Sequence, residues 1–113
     1  MDFTTQIFID FETEINSVIS KVELFDLIKK RYNETRLLLV NNGIKFQDDI
    51  FYEDIPLNPS LSDINNELYN YFLIIADLHR TFINNRIIDR LEYNQKHRDH
   101  FRKLTKDKIN SFL

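Results

Sequence analysis

The sequence predicts an all-α fold in a single domain, 1–113, and three of its features carry that prediction. Apolar residues recur every three or four positions through two long stretches, as one face of a helix requires. Both prolines, Pro56 and Pro59, fall between those stretches, and the only glycine, Gly43, stands where the first one ends. With 113 residues, 42% apolar and 29% charged, the chain has the size and balance of a globular domain that buries a core without disulfides or metals.

The first arm carries Phe3, Ile7, Phe11, Ile15, Val18, Val22, Phe25, Ile28 and Tyr32 at helical spacing. This predicts helix from about residue 4 to 42, bent or broken near Ser20 to Glu23. Leu37 to Val40 is apolar on every side, which in a helix implies burial against more than one neighbour. Gly43 then supplies the left-handed residue of a Schellman cap, with Ile44 placed to pack back on Leu39.

Residues 44–60 read as a loop, because proline and the acids Asp48, Asp49, Glu53 and Asp54 make a helix unfavourable there. Ile44, Phe46, Ile50 and Tyr52 alternate, as do Ile7, Ile9 and Phe11. The alternative fold is therefore α+β, with a short hairpin from residues 6–12 and 44–52.

Ser60 and Asp63 form an acidic capping box, so a helix starts at residue 61. Its stripe runs Leu61, Ile64, Leu68, Phe72, Ile75, Leu78 and Phe82, and residues 68–76 are apolar nearly all round, the mark of the most buried helix. After Asn84 and Asn85 the pattern resumes with Ile87, Leu91, Phe101, Leu104 and Phe112, as a fourth helix or a continuation of the third. Two helical arms around one acidic loop close as a helical hairpin or a four-helix bundle. A hairpin with arms of about 40 residues is about 60 Å long and needs a second chain to cover its apolar faces, so unbroken arms imply a homodimer.

Residues 21–54, KVELFDLIKKRYNETRLLLVNNGIKFQDDIFYED, resemble the first strand, helix and second strand of a glutathione transferase. The resemblance implies strands at 22–27 and 45–52.

Net charge is −3, unevenly placed. Residues 1–76 hold 13 acids and 6 bases, whereas residues 77–113 hold 5 acids and 9 bases. The two parts are complementary, so the basic tail is expected to lie against the acidic part of the same fold, a second subunit or an acidic partner. Absence of cysteine excludes disulfides and thiolate metal sites and fits a reducing cytosol. No apolar run reaches the roughly 18 residues of a bilayer span, and the amino terminus lacks a secretory pattern, so no membrane is expected and the location is cytoplasmic, in the host cytosol if the source is a phage or virus. The scarcity of alanine beside abundant isoleucine, asparagine and lysine suggests AT-rich microbial, phage or viral coding.

Catalytic chemistry finds little support. There is no nucleophile elbow and no phosphate-cradling glycine loop, so neither a catalytic residue nor a cofactor is expected. His97 and His100 lie one helical turn apart, a spacing compatible with a metal, yet the paired Glu and His motif of carboxylate-bridged bundles is missing. Both are read as solvated surface residues, and His79, beside Leu78 in a buried helix, as a hydrogen-bonded rim residue. His97, Arg98 and Asp99 spell the tripeptide of the protein kinase catalytic loop, but Leu104 stands where a magnesium-binding asparagine is required. Arg90 and His97, with six residues between them, resemble the arginine and histidine spacing of helical ribonucleases of the HEPN class, which implies phosphate stabilisation and proton transfer in a dimer cleft.

The expected function is a small helical module that binds another protein stoichiometrically, in the manner of an adaptor, inhibitor, immunity protein or antitoxin. Its expected surfaces are the acidic loop with Asp48, Asp49, Tyr52, Glu53 and Asp54, and a basic face with Arg86, Arg90, Tyr93, His97, Arg98 and Arg102. Tyr52 and Tyr93 are the aromatic anchors expected to be exposed. The alternative is nucleic-acid binding by the basic C-terminal helix, whose eight lysines and arginines from Arg86 to Lys108 can neutralise phosphates.

Overall fold

A computed structural model describes residues 3–46, 57–84 and 89–112. Among them lie four α-helices and no strand: α1 Phe3–Ser17, α2 Lys21–Asn41, α3 Leu61–Leu78 and α4 Arg90–Ser111, with a π-helical turn, His79–Asn84, extending α3. The all-α expectation holds. Residues 6–12 belong to α1 and residues 22–27 to α2, so neither segment supplies a strand to the α+β alternative or to the transferase-like one. The helical period won over the alternating one because it continues beyond each short segment. Residues 47–52 of those alternatives lie outside the described residues.

The first arm breaks where expected. The Ser20 backbone is extended, its hydroxyl accepts the Glu23 amide at 3.1 Å, and the Glu23 carboxylate accepts the Ile19 amide at 3.4 Å. These bonds satisfy amides that open the second helix, so α2 starts afresh at a changed angle. At its other end the Ile44 amide donates to the Leu39 carbonyl and the Gly43 amide to the Val40 carbonyl, both bonds of a Schellman cap, with Gly43 at φ 89°. A Cβ there would meet no atom within 4 Å, so conformation alone penalises a side chain. Gly43→Ala is expected to cost about 1–2 kcal/mol, read as a lower urea midpoint with an unchanged slope. α3 opens on the expected box, the Ser60 hydroxyl accepting the Asp63 amide at 3.1 Å and the Asp63 carboxylate accepting the Ser60 amide at 2.9 Å.

α3 is the central helix, packed against α2 on one side and α4 on the other. Ile64, Leu68, Tyr71, Phe72, Ile74, Ile75 and Leu78 are buried along it, facing Leu24, Phe25, Ile28 and Leu39 of α2, Phe11 and Ile15 of α1 and Phe101 of α4. The bundle measures 43 × 30 × 21 Å, shorter than an unbroken hairpin. Its four described helices close on one another, so the long-hairpin route to a dimer does not apply. No described helix is long and apolar enough to cross a membrane.

Five stripe assignments need correction, and two of them, Val22 and Leu61, are exposed in the first turns of α2 and α3. Leu37, Leu38 and Val40 are 55%, 40% and 46% exposed, and of that run only Leu39 is buried, because α2 packs on α3 along one face and nothing described covers the other. Phe82 is exposed because the wider π-helical turn shifts it off the line of Leu78. Leu91 is exposed too, lying in the first turn of α4.

Candidate interaction surfaces

α4 presents the basic face, and its start is set by Asp89. The Asp89 carboxylate accepts the amides of Leu91 at 2.9 Å and Glu92 at 3.2 Å, and Glu92, three positions on, completes the sequence pattern of a helix start. Arg90 then turns inward, its Nε 2.9 Å from Oδ1 of Asp77, which also meets Arg80 at 3.4 Å. Asp77 is buried, and that burial raises its carboxyl pKa above the usual range in spite of the two arginines. Arg90 thus ties the start of α4 to the end of α3.

Tyr93 and His97 are absorbed into the aromatic core rather than displayed. The His97 ring stacks on Phe8 with centroids 4.2 Å apart, and Tyr93 lies 4.9 Å from His97 and 5.6 Å from His79. Burial lowers the His97 pKa, with Lys96 and His100 adding in the same sense. The expectations of a solvated His97 and an exposed Tyr93 anchor are therefore corrected: α1 brings Phe8 across to cover them. His79 is the expected rim residue, its Nδ1 hydrogen-bonded to the Thr4 hydroxyl at 3.2 Å. His100 stays exposed, 3.7 Å from a Glu12 carboxylate oxygen. Among the described residues no three His, Cys, Asp or Glu side chains group as a metal site requires. Since Arg90 is engaged by Asp77 and the His97 ring by Phe8, the ribonuclease-like pair does not line an open cleft.

Arg98 and Arg102 do share a surface. They line a concavity of about 420 Å³ between the first half of α3 and α4, with Leu61, Ser62, Asn65, Asn66 and Tyr69. Asp48, Asp49, Tyr52, Glu53, Asp54 and Arg86, the remaining expected interaction residues, lie outside the described residues. No family model, curated protein or solved structure matches this chain. The chain's own geometry is what assigns its surfaces.

A second surface was not foreseen from the sequence. Ile7, Asp10 and Glu14 of α1, Arg31, Glu34, Thr35 and Leu38 of α2, and Tyr71 and Leu78 of α3 enclose a slot of about 230 Å³. Arg31 is held between two carboxylates: its Nε donates to Glu14 at 3.0 Å, its Nη2 also meets Glu14, and its Nη1 donates to Glu34 at 2.7 Å. These bonds, those to Glu14 first, make its proton harder to remove. Asp10 accepts the neutral amide of Gln6, at 2.8 Å. Three carboxylates against one guanidinium leave the slot anionic above the apolar floor of Ile7, Leu38, Tyr71 and Leu78. Asp10 and Glu14 at i, i+4, and Arg31, Glu34, Thr35 and Leu38 at helical spacing, were the signal available in the sequence.

Proposed function

We propose that the chain is a protein-binding module whose α1–α2 face receives a basic amphipathic segment of another protein. The observation that carries this reading is the exposed set Leu37, Leu38 and Val40, of which Leu38 also lines the acid-walled slot. Positions 34, 37, 38 and 41 are neighbours on a helix surface, so Glu34 and the leucines form one strip. A partner helix with leucines on one side and lysines beside them matches it: its apolar side chains cover the row, and a lysine stem lies on the slot's floor with its ammonium at Asp10 and Glu34. Such stoichiometric binding is the mode proposed for this chain, as an adaptor, inhibitor, immunity protein or antitoxin, and the cytosol is the compartment proposed for it.

The test is calorimetric titration of the full chain with an 18-residue amphipathic Leu/Lys peptide and its Leu/Glu counterpart. The lysine peptide is expected to bind at least 10-fold more tightly, and Leu38→Asp and Asp10→Lys, both at solvent-facing positions, are each expected to weaken it 10-fold or more. Equal affinity for the two peptides, or indifference to Leu38→Asp, removes the reading. A wild-type homodimer in sedimentation that Leu37→Asp dissociates assigns the face to a second copy instead.

A further inference from the structure

The groove between α3 and α4 stands apart from the protein-binding face and has a different chemistry. Its first concavity, lined by Leu61, Ser62, Asn65, Asn66, Tyr69, Arg98 and Arg102, continues into a second of about 410 Å³ that adds Asp99, Lys103 and Lys106 and shares Leu61, Asn65 and Arg102. Four cations therefore face one carboxylate along a continuous trough. Among the described residues, Arg31, Arg80 and Arg90 are committed to carboxylates, whereas Arg98, Arg102, Lys103 and Lys106 form no ion pair. Arg31, Arg80 and Arg90 thus act as ties, while these four cations line the groove.

The trough is also equipped for more than charge. The Arg98 guanidinium lies over the Tyr69 ring, 5.5 Å from its centroid, which holds its plane in place. Asn65 and Asn66 bring amides to the same wall as the Ser62 hydroxyl. Amide and hydroxyl groups in one wall offer donors and acceptors together, which the edge of a nucleobase matches. Arg98, Arg102 and Lys106 follow at i, i+4 and i+8, covering about 12 Å along α4, longer than one phosphate group. In a duplex the base edges that would meet that wall are paired, so the wall fits an unpaired strand.

We infer that the α3–α4 groove binds single-stranded nucleic acid, with phosphates along Arg102, Lys103 and Lys106 and a base against Arg98, Asn65 and Asn66. An acidic peptide meets the same cations and amides but has no flat ring to lay against the Arg98–Tyr69 pair, which is why the nucleotide chemistry is preferred. Three or four phosphate contacts give a modest salt dependence, with log K falling by about 2–3 per tenfold rise in salt. The net charge of −3 does not oppose this locally, because only Asp99 brings a negative charge into the trough.

The experiment is fluorescence anisotropy of a labelled 12-nucleotide single strand of mixed sequence with the full chain, from 50 to 200 mM salt. Saturable binding is expected at 50 mM, weakened 10-fold or more by Arg102→Glu or Lys106→Glu, with the salt slope reduced by about one for each cation removed. Both positions are on the solvent side of α4, and circular dichroism checks that the helices persist. Asn65→Ala is expected to weaken binding several-fold without changing the slope, which a purely electrostatic surface would not show. No anisotropy change at 50 mM, wild-type affinity in Arg102→Glu, or a hairpin duplex binding as tightly as the single strand overturns the inference. So does equal competition by a polyglutamate peptide or by a free nucleoside triphosphate, which would mark an acidic-peptide or mononucleotide site. Leu38→Asp leaves strand binding unchanged if the two surfaces are independent, so either proposal can fail alone.

Discussion

Phe72→Ala is expected to lower the stability of the bundle by about 3–5 kcal/mol, the range for removing a fully enclosed aromatic ring. Phe72 has no exposed surface, and its ring lies 5.1–6.3 Å from those of Phe8, Phe11, Tyr71 and Phe101, so it joins α1, α3 and α4 at one point. Edge-to-face pairing with Phe8 and Phe11 adds to the area it buries. Those neighbours come from three helices and cannot all collapse into the space left behind. Domains of this size are stable by about 5–15 kcal/mol in total. The variant should therefore melt about 10–20 °C below wild type, measured by far-ultraviolet circular dichroism. Phe82→Ala, at an exposed position one helical stretch further on, is the control and should shift the melt by little. Equal shifts for the two would mean that the aromatic cluster does not organise the core.

The helices were legible because their signals are local. The stripe Phe11, Ile15, Val18, Phe25 and Ile28, the Ser60–Asp63 box and the left-handed Gly43 each act within a few residues of themselves and appear where their spacing placed them, Val22 alone of that stretch staying exposed. The surfaces were harder to read because they depend on which helix meets which. Tyr93 and His97 sit in the least apolar stretch of α4 and look solvated until α1 lays Phe8 across them from 89 residues earlier in the chain. Leu37 to Val40 looks buried because an apolar run carries no information about how many sides will find a neighbour. Asp10, Glu14, Arg31 and Glu34 look like ordinary helix-face charges until α1 and α2 bring them around one slot. Buried Asn94 belongs to the same class, its amide nitrogen donating to the Tyr69 carbonyl of α3 at 3.4 Å.

The charge split read from the sequence also acquires a structural meaning. Part of the basic C-terminal section does lie against the rest of the fold: Lys108 donates to the Asn16 carbonyl at 2.7 Å and His100 approaches Glu12. Arg90 instead pairs within that section, with Asp77. Four cations without an ion pair among the described residues line the α3–α4 groove, while the acids of α1 and α2 outnumber the guanidinium at the slot. The complementarity thus resolves into two surfaces of opposite sign on one small domain.

Asp77→Ala is expected to cost about 1–2 kcal/mol at neutral pH, and Asp77→Asn clearly less. The first variant removes the acceptor for Arg90 and Arg80 at the α3–α4 junction. Hydrogen bonds to charged groups contribute about 1.5–3 kcal/mol, but both guanidinium groups are nearly half exposed and recover water, which places the loss at the lower end. Asparagine keeps an acceptor and removes a charge that burial penalises. The pH dependence separates these contributions. Because burial raises the Asp77 pKa above 3.8, the folded chain takes up that proton more readily than the unfolded one. Its contribution is present at low pH and lost as pH rises from 3.8 through the raised value, so wild type should gain on Asp77→Asn as the solution is acidified toward pH 4. His97 has the opposite sign: its pKa is lowered from 6.5, so its contribution is present above 6.5 and lost as pH falls through the lowered value. Wild type should therefore lose ground to His97→Gln over that window. Urea midpoints for the three proteins across pH 4 to 7.5 check both slopes, and parallel curves would show that neither group is coupled to folding.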